Sequence, residues 1–163
     1  MTRKLIHLSV PALALFVSVM AGPGYAQSNK VRVSGLQDVN FGTLPSSSDA
    51  ISSQSLCVFV GTATSTYSVS AMGSGNGGAF SLTGSGSDLS IDVMWSEVAS
   101  QQSGDILVSS VPSRIYTSSA SHQRCNRAPI ATASLVIRAR ETEISRASAG
   151  TYSGAITLII SPS

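Results

Sequence analysis

The side chains best suited to chemistry in this sequence are two cysteines, Cys57 and Cys125, and one histidine beyond the N-terminal region, His122. A metal site or reactive thiol needs more partners than these supply. There is no CxxC pair, and His122 stands between Ser121 and Gln123 in a polar stretch that reads as a solvated loop. Serine is abundant, yet no GxSxG elbow occurs and no SxxK spacing sets a serine beside a lysine, so the abundance is compositional. Glu141 and Glu143 could point the same way, and a charged pair following a strand reads as a solvated face rather than an acid/base or metal site. Gly73, Gly75 and Gly78 spell GxGxxG after a strand. A dinucleotide loop must open a helix that receives the phosphates, whereas Ala79-Phe80-Ser81-Leu82 runs into another glycine turn, so this is a glycine-rich hairpin. The expectation is a protein without catalytic residues, metal or cofactor.

The elements around these residues are strands. Short alternating runs between glycine and serine clusters indicate an antiparallel sandwich, and no helical pattern stands out. Val31 and Val33, then Leu36, Val39 and Phe41, form an opening strand broken at Ser34-Gly35. Residues 52–60 form a strand around Cys57, and residues 66–72 alternate Tyr67, Val69 and Ala71 against serines. A short strand at 79–83 precedes the best-patterned one, where Leu89, Ile91, Val93 and Trp95 share a face, which makes Trp95 core. Short strands are expected at 106–108 and 111–116, a polar loop at 117–128, and two strands at 133–140 and 155–160 joined by a crossing over 141–149. An apolar strand ending three residues before Ser163 must be covered by something.

The chain has 163 residues, enough for one domain plus a leader. Thr2-Arg3-Lys4, a mostly apolar body from Leu5 to Met20, and a small-residue tail ending Gly24-Tyr25-Ala26 form a secretory signal peptide, with cleavage after Ala26. Residues 27–163 are then the mature domain. The leader takes two of the ten basic residues and no acidic one, which leaves eight of each sign. A neutral chain with dispersed arginines has no basic stripe for nucleic acid, and no apolar run is long enough for an integral membrane helix. In an oxidising compartment Cys57 and Cys125 are expected to be bridged. The ring would close over the span from 57 to 125 and contribute about 4 kcal/mol on the loop-entropy model.

Several segments together resemble a known family. They are Leu36-Gln37-Asp38-Val39-Asn40-Phe41-Gly42, Cys57 followed by Tyr67-Ser68-Val69-Ser70 and the glycine turn, Val93-Met94-Trp95, and the run from Ala147 through Gly150-Thr151-Tyr152-Ser153-Gly154 to Leu158. In this order they resemble the spore coat protein U domain shared with subunits of archaic chaperone-usher pili. The resemblance implies an all-β, immunoglobulin-like sandwich lacking its last strand, exported through the periplasm to the cell surface as a structural or adhesive pilus subunit. It also implies three partners: a periplasmic chaperone, an outer-membrane usher, and neighbouring subunits that lend a strand to the open sheet. Tyr152, Ile156, Leu158 and Ile160 are the candidate acceptor groove, and Val31 and Val33 a candidate donated strand. Only about nine residues separate Gln27 from the Leu36 motif, short for a donor, and a cysteine near the first strand is absent. The alternative is a self-contained secreted sandwich that binds carbohydrate or a coat component, with residues 31–41 completing the sheet internally.

Overall fold

Alternation of apolar and small polar residues dictates nine strands, and the glycines set where they turn. The computed structural model describes residues 30–84 and 86–163, so the leader expected over residues 1–26 lies outside the described residues. The strands are β1 (Val31–Ser34), β2 (Ala50–Val60), β3 (Thr66–Gly73), β4 (Ser81–Leu82), β5 (Leu89–Ser96), β6 (Asp105–Ile106), β7 (Tyr116–Thr117), β8 (Ala133–Ala139) and β9 (Ile156–Pro162), with one short helix, α1 (Glu141–Ile144). They form two antiparallel sheets packed as a sandwich. One has the order β1-β2-β8-β5-β4 with β6 also on β5, and the other has the order β7-β3-β9.

The core is made where the inward sets of the two sheets meet. Leu56, Val58 and Val60 of β2, Leu89, Ile91, Val93 and Trp95 of β5, and Leu135 and Ile137 of β8 face Tyr67, Val69 and Ala71 of β3. Each is at most 7% exposed, and burying such a side chain stabilises by roughly 1.5–3 kcal/mol. Cys57 and Cys125 are bridged, with Cα atoms 6.2 Å apart. The glycine-rich run folds as the expected turn. A Cβ on Gly73 would lie 2.0 Å from the Ala79 carbonyl oxygen, so only glycine permits that approach.

Three expectations change. The opening strand stops at Ser34, and residues 35–44 form no ladder with any described strand. Residues 106–116 yield only β6 and β7. The chain between them follows β3 through side-chain and single backbone bonds, including Ser113 N–H to the Val69 oxygen at 2.8 Å. The crossing over 141–149 begins with α1, whose Glu141 N–H donates to Asp49 Oδ1 at 2.8 Å. Capping by a residue 92 positions away leaves no local sequence signal.

Candidate functional site

β9 has the pattern of a half-covered strand. Along its length it pairs with β3, placing Ile160 opposite Val69, Leu158 opposite Ala71 and Ile156 opposite Gly73. Directly opposed residues project to the same face, so Ile156, Leu158 and Ile160 point into the sandwich. Their partners Val69 and Ala71 are buried to 0% and 1% exposure, yet all three β9 residues are only half-buried. Something that covers β3 does not cover β9.

The backbone shows where the cover is missing. Ser74 N–H donates to the Ala155 oxygen at 2.9 Å, and Ser163 N–H donates to the Thr66 oxygen at 3.0 Å. Antiparallel pairing alternates, so the odd-numbered residues from 155 to 163 exchange hydrogen bonds with β3. The N–H and C=O groups of Ile156, Leu158 and Ile160 therefore point to the other edge, where no strand pairs with them among the described residues.

The facing wall is the segment that was expected to continue β1. Gly35 has φ +92°, and a Cβ there would approach the Ser55 oxygen to 3.2 Å, so at this residue the chain can turn away from β2. Gln54 on β2 then acts as a substitute ladder. Its Oε1 accepts the Gln37 N–H at 2.8 Å, and its Nε2 donates to the Gln37 oxygen at 3.3 Å. Beyond this tie Val39, Phe41 and Leu44 lean half-buried against the core. Between this wall and β9 runs a groove of about 1650 Å³, floored by Leu82, Ile91, Leu135 and Ile137. Tyr152 closes one end, its hydroxyl donating to the Ser148 oxygen at 2.7 Å. The Tyr152 ring lies where a Cβ on Gly84 would be, 2.4 Å away.

Of the sequence-derived candidates, Tyr152, Ile156 and Leu158 line this groove, whereas Ile160 packs on the core beside it. Val31 and Val33 lie in β1, opposite Val60 and Val58 of the same chain, with their side chains on the core. Sequence reasoning missed the 36–44 wall, Gln54 and the floor residues. The one available signal was Gln54 itself, a polar residue at an inward position of β2 beside Leu56. Among the described residues, Asp38 and Tyr152 are the only titratable groups lining the groove, and its apolar floor and the free backbone edge of β9 suit it to bury an apolar, extended segment and pair its backbone.

A second polar cluster lies on the outer face of the β5-β8 pair. Asp92 accepts hydrogen bonds from Arg138 at 2.7 and 3.0 Å and from Arg140 at 2.5 and 2.7 Å. Partial burial alone would raise the Asp92 pKa, but the hydrogen bonds from Arg140 and Arg138 outweigh it and hold the carboxyl below its ordinary value. The cluster is a satisfied ion-pair network and leaves no vacant ligand position.

Neither a family model nor a curated protein sequence matches this chain. Among solved structures, a chain of a chaperone–tip adhesin complex of CFA/I fimbriae biogenesis superposes with a TM-score of 0.58 at 17% identity, covering 82% of this chain and 41% of that one. The present chain thus spans about two fifths of that protein, and the likeness is one of fold, an all-β sandwich.

Proposed function

We propose that this chain is a non-catalytic structural or adhesive subunit of a surface pilus, and that the groove beside β9 accepts an extended strand lent first by a periplasmic chaperone and then by a neighbouring subunit delivered at an outer-membrane usher. One observation carries the reading: Ile156 and Leu158 line the groove only half-buried, while the backbone groups of Ile156, Leu158 and Ile160 face an edge with no paired strand among the described residues. A strand laid there would complete the second sheet, pair with β9 and fill the space against residues 36–44. The Cys57–Cys125 bridge agrees with export to an oxidising compartment. The fimbrial fold neighbour supports the same reading. With β1 engaged on β2, the role that fits this chain is acceptor, and Val31 and Val33 serve their own sheet.

The test is a thermal melt of the oxidised protein with and without a five-pair alternating apolar strand fused through a flexible linker after Ser163. If three or four apolar side chains enter the groove, the melting temperature rises by on the order of 15 °C or more. No rise would mean the sandwich is complete by itself, and the proposal would fall.

A further inference from the structure

Eight cations follow the expected cleavage point, and they divide into two sets. Arg114, Arg138, Arg140 and Arg146 each pair with a carboxylate. Lys30, Arg32, Arg124 and Arg127 are exposed and form no ion pair among the described residues. Dispersed in sequence, this second set is gathered by the fold.

The gathering follows from β1 and the disulfide. The Lys30 oxygen accepts the Gly61 N–H at 2.8 Å, which extends the β1 ladder by one residue. Val31 and Val33 face the core, so Lys30 and Arg32, alternating with them, face outward. Arg32 lies opposite Phe59, and Ser34 lies opposite Cys57. Phe59 and Cys57 therefore project to the same outer face, and the bridge to Cys125 draws the 118–132 segment across it. Ser118 and Thr132 fix the ends of that segment by hydrogen bonds to Val58. Arg124 directly precedes Cys125 and Arg127 follows it by two residues, so the bridge brings the stretch that holds them toward the face that carries Arg32. Gln123, just before Arg124, and Asn126, just before Arg127, are both exposed on the same stretch. Asp38, the acid nearest in sequence, lies past Gly35 on the groove wall.

We infer that this disulfide-anchored face binds an acidic polysaccharide, through Lys30, Arg32, Arg124 and Arg127 to its carboxylate or sulfate groups and through Gln123 and Asn126 to its hydroxyls. Charge complementarity points to a polyanion. The exposed amides of Gln123 and Asn126 and the half-buried Phe59 ring opposite Arg32 favour sugar over other anionic surfaces, because amides bond hydroxyls and an aromatic face packs on a sugar ring. The inference stands on a face separate from the β9 groove and does not depend on how that groove is filled.

Binding of the exported, oxidised protein to heparin and to polygalacturonate is measured against dextran, duplex DNA and phosphatidylcholine/phosphatidylglycerol vesicles. Both acidic polysaccharides are expected to bind in a salt-dependent way, and dextran is not. R124Q/R127Q should weaken binding by about tenfold and lower its salt dependence, R124K/R127K should retain most of it, and R146Q, on α1's side, should change it less than twofold. Unshifted melting temperatures show that the variants fold, and the lysine pair reports on charge alone should the glutamine pair melt early. The inference is overturned if neither polysaccharide binds, if R146Q weakens binding as much as R124Q/R127Q, or if DNA or vesicles bind as tightly as the polysaccharides.

Discussion

Trp95 and Tyr67 join the two sheets: Nε1 of Trp95 donates to the Tyr67 hydroxyl at 3.2 Å, with the rings 6.3 Å apart and nearly perpendicular at 80°. Both side chains are fully buried. Burial raises the Tyr67 pKa and outweighs the opposing effect of the Trp95 hydrogen bond. Tyr116 extends the set at 5.7 Å from the Tyr67 ring. Its buried hydroxyl has no hydrogen-bond partner among the described residues, and burial, helped by the charge of Asp105, pushes its pKa up to about 12. This aromatic set seals the Tyr67 end of β3, while the groove opens at the end near Ala71 and Gly73. Replacing Trp95 by Phe removes the donor and leaves a small void, so stability should fall by about 2–4 kcal/mol. Urea unfolding followed by circular dichroism measures it; a loss under 0.5 kcal/mol would mean the contact is incidental.

Leu158 separates folding from strand acceptance. In the chain as it stands this side chain is half-buried, so Leu158→Asp should shift the melt of the unfused protein by only a few degrees. In the fusion with a donor strand, the same change would bury a carboxylate and should remove more than half of the stabilisation. Paired melts of the two forms give the comparison. Equal shifts would show that Leu158 does not face the added strand.

Asp92 gives the fold a pH limit with a defined sign. Its carboxyl is held below the ordinary value, so the folded state gives up the proton more readily than the unfolded one. The stabilisation is complete above the unfolded pKa, about 3.9, and is lost as pH falls through the lower folded value. Asp92→Asn should therefore cost about 1–2 kcal/mol at pH 5–7, allowing for the half-exposed Arg140. The gap between variant and native protein should narrow below pH 4. A gap that persists unchanged at pH 2.5 would contradict this account.

The disulfide holds the 118–132 segment against β2 without touching the groove. Cys57→Ser with Cys125→Ser should lower stability by about 2–4 kcal/mol. The rise on donor fusion should remain, because no groove residue is displaced. Loss of that rise in the double variant would show that the two regions are coupled.

Much of this was legible in the sequence, for local reasons. The alternation in residues 66–72 and 89–95 located β3 and β5 because one face of each strand is fixed in the core while the other is more open, and the small-residue run at 73–78 located the turn. The pairing of the two cysteines was readable for want of any other partner. What could not be read was the fate of residues 36–44, whose Leu36, Val39 and Phe41 look like a strand. A strand needs a neighbour, and these residues lie on the wall of a groove instead of in a ladder, held by Gln54 from 17 positions away. The floor of Ile91, Leu135 and Ile137 looked like ordinary core because, from one sheet's side, it is. That the stretch holding Arg124 and Arg127 is drawn toward the face of Arg32 was hidden for a related reason: the bridge acts across a long sequence interval.

The unpaired edge of β9 also sets a clock. Residues 155–160 carry no charge and no proline, and they present a flat row of backbone donors and acceptors to any matching strand. A second copy of the chain offers the same row, and edge-to-edge encounters between copies scale with the square of concentration, while capture by an escort scales with its supply. Pro162 stops the row at one end and cannot protect its middle. Under the proposed function, each new molecule is thus in a race between occupation and self-association, and its yield should depend more on how soon a strand arrives than on how stable the finished sandwich becomes.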